Sequence, residues 1–414
     1  MKKIFRRFLP FWIFLILFKF AACIHFNLMS PYGEMLFPLW FVGLVIGGAS
    51  LIQLILDVPA GLILDKYGYR KFLAVTVFLF IVAVVFLMFG LNKVTYLMTL
   101  FVASFGWLFF GPGVNAYVLT HASKDNAGRF LSLRDIFESI GVVLSSVLLV
   151  LTLSMPTKFV GILIISIFVL SLIVLFLSPK DIEDVNTEKK VSTHNFYIKR
   201  VFLHKIIKSI FNLNPASVIL MITGFSSSIF YAIVWFVVPL MIASNKDDVF
   251  MGVSLATFDL AVLLVGFVLG KMVDKFNKKL LVFFGLLLFA VTGMLLGFNY
   301  GILFILVGFM ATVGDELSSL SLWSWLNILD KDHDNDGTVS GVINLFQDLG
   351  WAVGPVIAGV LYTKIGPEMT IAVGGGLILV SWLLYSVKFS GVHVAVDIDW
   401  SLIPKKPHKF RHKR

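Results

Sequence analysis

The sequence predicts an all-α membrane protein of 12 transmembrane helices in two pseudo-symmetric six-helix bundles, with both termini cytoplasmic. Three observations carry this expectation. The 414 residues are 58% hydrophobic and only 14% charged, where a soluble domain carries about 25% charged residues. Apolar runs such as "FLAVTVFLFIVAVVFLMFG" recur along the chain, each near the roughly 20 residues a helix needs to cross a bilayer. Finally, separate parts of the chain match at one fixed offset of 209 residues, as from Gly61 to Gly270.

The spans are expected, in order, at about 9–31, 37–59, 71–91, 95–120, 129–153, 157–178, 214–242, 249–271, 279–298, 300–327, 338–363 and 368–389. The first follows a basic start and could be mistaken for a signal segment, with "FAAC" as a lipoprotein-like cleavage box. Lys19 interrupts its apolar course, however, and "IHFNLMSPY" continues the span beyond Cys23. It is therefore kept as a helix. The lone cysteine implies no disulfide framework.

All but five of the 34 Lys and Arg fall on the side of the two termini. The exceptions are Lys93, Lys158, Lys246 and Lys364 in the opposite loops, and Lys19 within a span. Cytoplasmic loops keep the positive excess, so the net charge of +10 reads as topology rather than as nucleic-acid binding.

Four regions follow: a six-helix bundle at 1–178, a cytoplasmic linker at 179–213, a second bundle at 214–390 and a basic cytoplasmic tail at 391–414. Within the linker, Ile198, Phe202, Ile206 and Ile210 share one face of a helix suited to the bilayer surface. The acidic run "DKDHDNDGTVSG", 330–341, imitates the start of a calcium loop. Its twelfth position from Asp332 is Ile343 rather than a bidentate Glu, and its copy "DNAG" lacks the alternating acids. It reads as a turn, and no metal or cofactor is expected.

The 209-residue offset aligns "GLILDKYGYRK" (61–71) with "GKMVDKFNKK" (270–279), placing Asp65 on Asp274 and Lys66 on Lys275. It also places Gly141 on Gly350, and Asp135, Glu138 and Ser139 on Asn344, Gln347 and Asp348. Duplicated bundles around a midplane site are a transporter architecture.

"GLILDKYGYRK" resembles the loop signature of the major facilitator superfamily, and "DVPAG" (57–61) resembles the form found in its drug–proton antiporters. The resemblance covers essentially the whole chain, although Asn277 replaces the glycine in the second copy. It implies a gating set of Asp57, Gly61, Asp65, Gly68, Arg70, Arg129, Gly270 and Asp274. Asp65 would face the start of the eleventh span near Gly337 and Thr338, and Asp274 the start of the fifth near Arg129. The antiporter glycine–proline pattern stands in the eleventh span (Gly341, Gly350, Gly354, Pro355, Gly359) rather than the fifth, and the fourth span has no arginine.

The same resemblance places the first, fourth, seventh and tenth spans around a central cavity. Its candidate wall is Lys19, His25, Asn27, Trp107, Asn115, Tyr231, Trp235, Ser319 and Trp323. Charges at mid-depth are costly and mark function. Arg134, and Lys19 if it reaches across, would hold Asp135 and Glu138 ionised, while Asp259 and Asp348 belong to spans outside the first cavity shell. Asp315 and Glu316 are therefore the expected proton carriers, with Glu316 favoured and Glu138 next in line.

The function expected is secondary active transport of a small organic compound by alternating access, coupled to protons and directed to efflux. The alternatives are a proton-coupled importer or facilitator of a metabolite, and a non-transporting sensor or assembly protein on a transporter fold. The protein is expected to be a monomer in the cell membrane, with substrate, protons and bilayer as its partners. No nucleophile–base or metal spacing suggests an enzyme.

Overall fold

The structure is a computed structural model that describes residues 2–121, 127–179, 215–244, 253–299, 301–329 and 336–389. The interfacial helix expected in the linker, the acidic turn at 330–335 and the basic tail lie outside the described residues. The rest is helical, with no strand among the described residues.

The first half comprises α1 (Lys2–Glu34), α2 (Leu39–Tyr67), α3 (Tyr69–Met88), α4 (Lys93–His121), α5 (Ala127–Val147), the short α6 (Leu149–Ser154) and α7 (Thr157–Leu177). The second comprises α8 (Pro215–Ser244), α9 (Ala256–Lys275), α10 (Lys278–Leu296), α11 (Ile302–Leu329) and α12 (Asp336–Phe389). Helix α12 is broken at Gly366, whose φ of 81° interrupts the helical backbone just before Pro367. It thus supplies the last two spans, and α5 with α6 makes up the fifth.

Nine stretches among the described residues are long and apolar enough to cross a bilayer, and that at Ile343–Lys388 contains the Gly366 break. Helix α9 adds a span bent by 53°. Helix α5 stands apart because Arg134, Asp135 and Glu138 lie in it. The outward side chains are apolar, as lipid requires: Phe78, Phe159, Leu170, Leu264, Leu306 and Val380 are all exposed.

Local signals explain the tight connections. Gly68 turns α2 into α3 at φ 88°, a left-handed conformation that glycine adopts without penalty. Its counterpart Asn277 uses another device. At φ −63° its side chain accepts a hydrogen bond from Lys279 N and caps α10, so no glycine is needed there.

The duplication persists at the level of single atoms. A Cβ on Gly141 would meet Ile16 O, Lys19 Cβ at 2.8 Å and Phe20 N at 3.0 Å. A Cβ on Gly350 would meet Phe225 O, Ser228 Cβ at 2.6 Å and Ile229 N at 3.2 Å. Every one of these neighbours is displaced by the same 209 residues. Glycine is what lets α5 lie on α1, and α12 on α8, backbone to backbone. Gly141→Ala and Gly350→Ala should each cost about 1–3 kcal/mol, read as matching falls in the melting temperature of the detergent-solubilised protein. A large effect at only one of the two would contradict this equivalence.

The halves meet where α2 crosses the first arm of α12, where α5 meets α9, and where α1 meets α8. On α2 the close approaches are Leu39 to Gly359, Gly43 to Pro355 and Gly47 to Ala352. All lie in its first third, the end away from the basic loops. The seam is therefore sealed on the outer side.

Candidate central cavity

Between the halves lies a cavity of about 490 Å³. Helix α1 contributes Lys19, Cys23 and Phe26 to its wall, α2 contributes Ser50, Gln53 and Leu54, and α4 contributes Trp107, Gly111 and Pro112. Val142 of α5 completes the first half's share. Opposite stand Trp235 of α8, Asp259 of α9, and Asp348 and Trp351 of α12. A smaller cavity continues outward past Ser30 and Phe236 and shares Phe26, Ser50, Trp235 and Trp351 with the first.

A charged cluster crosses the middle. Lys19 Nζ lies 3.0 Å from Glu138 Oε2 and 5.1 Å from the ring centroids of both Trp107 and Phe110. Arg134 Nε is 3.7 Å from Glu138 Oε1. Arg134 also pairs with Asp135 and donates to the Asn115 side chain. Asp259 of α9 faces Lys19 from the wall of the same cavity. Asp315 lies apart, accepting from Ser227 Oγ at 2.9 Å. Glu316 is partly exposed beside it.

Of the residues expected on the wall, Lys19, Trp107 and Trp235 are there. Others are placed differently. His25 and Asn27 are buried, with the His25 ring against Phe80. The wall face of α1 runs through Lys19, Cys23 and Phe26, and positions 25 and 27 lie about 100° to either side of 26. Asn115 ties α4 to Arg134 instead of facing the cavity. Tyr231 stacks on Phe289. Trp323 packs into the core, and Ser319, like Asp315 and Glu316, is not part of the wall.

Asp259 and Asp348, expected outside the first shell, are on the wall. Their helices form the seam between the halves, so one face of each reaches the cavity. The sequence held a signal for both. The 209-residue offset pairs Asp259 with Ser50 and Asp348 with Ser139. In both couples an aspartate of the second half answers a serine of the first.

Of the gating set, Gly68 forms the turn described above. Arg70 donates to Phe176 O and so ties α3 to α7 within one half, rather than bridging the halves. Its counterpart contact is Tyr385 Oη donating to Lys279 O at 2.8 Å, again displaced by 209 residues. Gly270 has open space around it, and Asp274 is exposed at the end of α9. The side chains of Asp57, Gly61, Asp65 and Arg129 lie outside the described residues.

Two helical bundles clasping a central cavity, sealed at one end by their own backbones, define a membrane carrier of the alternating-access kind. The chain belongs to the major facilitator superfamily: the Major Facilitator Superfamily profile matches residues 11–355, with a second match over 220–393. It is a multi-pass membrane transporter, not an enzyme.

Among solved structures, the nucleoside transporter NupG shares 13% identity and a TM-score of 0.69, over 92% of this chain and 100% of that one. The inward-facing, unoccupied bacterial homologue of the human lysosomal transporter Spinster shares 11%, with a TM-score of 0.71, over 93% and 96%. The inward-open xylose transporter XylE from E. coli shares 14%, with a TM-score of 0.69, over 98% of each chain. At these identities the likeness is one of fold. No curated protein matches the chain in sequence.

Proposed function

We propose that this protein is a monomeric, proton-coupled antiporter that exports a small organic cation with a planar apolar body across the cell membrane. The bundles at 1–178 and 214–390 are its moving parts. One observation carries the reading: Trp107, Trp235 and Trp351 share the wall with Asp259 and Asp348, while Lys19, the wall's own cation, is already matched by Glu138. A cation over a desolvated indole face gains about 2 kcal/mol. The volume suits a drug-sized ligand. A neutral polyol needs many uncharged hydrogen-bonding partners, and the polar, uncharged wall residues are few: Ser50, Gln53 and Cys23. The resemblance of "DVPAG" to antiporter sequences supports the outward direction.

The test is accumulation of ethidium, a planar monovalent cation, in inverted vesicles with an acidic lumen. Trp235→Ala and Trp351→Ala should each lower its uptake by about tenfold or more. Uptake unaffected by collapse of the proton gradient, or faster flux of uridine or xylose than of any cation, would overturn the proposal.

A further inference from the structure

We propose that the small outer cavity is a subsite for a short hydroxyl-bearing arm of the substrate, and that Ser30 is the residue that reads it. The assignment rests on the reading above that the central cavity holds the substrate, and it adds a second chemical requirement to the planar body.

The subsite begins with an orphaned hydroxyl. Ser30 of α1 is 2% exposed, and its Oγ is buried with no hydrogen-bond partner among the described residues. Ser145, Ser171 and Ser318 are as deeply buried, and each donates to a carbonyl of the turn before it. Ser30 does not, and it stands on the wall of a cavity. A buried hydroxyl without a partner destabilises the fold. One left open toward a cavity marks a place where something else bonds to it.

Size and lining define what that is. The chamber holds about 30 Å³, room for about two waters or for the hydroxyl end of a two-carbon arm. Ser50 supplies a second hydroxyl, whose bond to Ile46 O is long at 3.5 Å and leaves it free to turn inward. The rest of the wall, including Ile46, Ala232, Phe236 and Pro355, is apolar. No charged side chain lines it among the described residues, so an ammonium or carboxylate arm would lose its water without gaining a counter-charge. An uncharged hydroxyl fits. It can donate to one serine and accept from the other, as a bound water does.

Position joins the chamber to the site of the planar body. Phe26, Ser50, Trp235 and Trp351 line both cavities and so form the neck between them. Phe26 and Trp235 are related by the 209-residue offset, which sets one aromatic residue of each half at that neck. A planar body lying on Trp235 and Trp351 has the chamber mouth at its edge. The far end is closed by the outer seam, since Pro355 of the chamber wall is the residue whose carbonyl meets Gly43. The arm is therefore limited in length as well as in chemistry. The duplication places this hydroxyl on one side only, because Ser30 corresponds to Pro239.

The test is equilibrium dialysis of planar probes against the full chain in detergent. Three probes are acridinium cations carrying 2-hydroxyethyl, propyl or methyl on the ring nitrogen, and two are neutral carbazoles carrying 2-hydroxyethyl or propyl. The ratio of hydroxyethyl to propyl affinity should fall by about fivefold from wild type to Ser30→Ala, the worth of one hydrogen bond between neutral groups. The methyl probe is too short for the chamber and should bind both proteins alike, which shows the body site intact. Ala232→Leu fills the chamber and should weaken the hydroxyethyl and propyl cations by about fivefold or more, again sparing the methyl probe. A ratio unchanged by Ser30→Ala would overturn the proposal, as would a methyl probe weakened as much as the longer ones. The carbazoles separate this outcome from the cationic reading. A hydroxyl ratio that responds to Ser30→Ala in carbazoles binding as tightly as the acridiniums would keep the subsite and remove the cation. An acridinium advantage with an unresponsive ratio would do the reverse, and absence of binding by every probe would overturn both.

Discussion

Gly43→Val should prevent the outer seam from closing and move the protein to a state open on the outer side. At Gly43 the new Cβ would stand 2.9 Å from the Pro355 carbonyl carbon and nearer still to its oxygen. These are backbone atoms of α12 and cannot rotate away as a side chain would. The same is true of Gly359 against Leu39, where the carbonyl carbon would be 2.9 Å from the Cβ. Overpacking costs about 1–3 kcal/mol where neighbours can adjust and more where they cannot. At about 1.4 kcal/mol per factor of ten, that cost shifts a two-state population by about fivefold to more than a hundredfold. Each half should remain folded, because the clash lies between the halves. Spin labels at exposed Met35 and Lys364, in a Cys23→Ser background, should report a longer distance in Gly43→Val than in the parent. Gly48→Val is the control, since a Cβ there meets nothing within 4 Å. An unchanged distance distribution in Gly43→Val, or an equal change in Gly48→Val, would refute the seam as described.

That seam also shows what the sequence made legible. The glycine–proline stripe of the eleventh span was visible as a packing surface, because small residues allow close approach of membrane helices. For its partner the sequence pointed to the far end of the second span, at Asp65, whose side chain lies outside the described residues; the glycines that meet the stripe here are Gly43 and Gly47. Which end of two helices touches depends on the state of the carrier, and hydropathy does not encode a state. The 209-residue repeat was legible because duplication preserves the residues that must pack, such as Gly141 and Gly350.

Side-chain aim was less legible. Spacing puts residues 19, 23 and 26 on one face of α1, but it does not say whether that face or the one with His25 and Asn27 meets the cavity. Packing against neighbouring helices sets that rotation. Lys19 was singled out because a charge in an apolar span has few bearable places. Asp259 and Asp348 were singled out by the same rule and then set aside by a rule about whole helices, which does not hold residue by residue at a seam.

The ion pair under that cavity should respond to removal of either partner. Lys19 and Glu138 side chains are 19% and 18% exposed, and stripping one partner from a fully buried pair costs about 3–5 kcal/mol. Water in the cavity screens this pair, so about 1–3 kcal/mol is expected for each single change. The two changes differ in kind. Lys19→Met leaves Glu138 with Arg134 and sets an apolar side chain on the Trp107 and Phe110 rings. Glu138→Gln leaves the Lys19 ammonium without the carboxylate it pairs with, and should be the more damaging. The double variant removes both charges at once and should recover much of the lost stability, since a buried pair often breaks even against a neutral replacement. Thermal unfolding of all four proteins in one detergent at pH 7 measures the coupling between the sites. A positive coupling of about 1 kcal/mol or more is the expected outcome. Additive losses in the double variant would mean that the 3.0 Å contact contributes nothing, and that the lysine is held in the cavity by the aromatic rings instead.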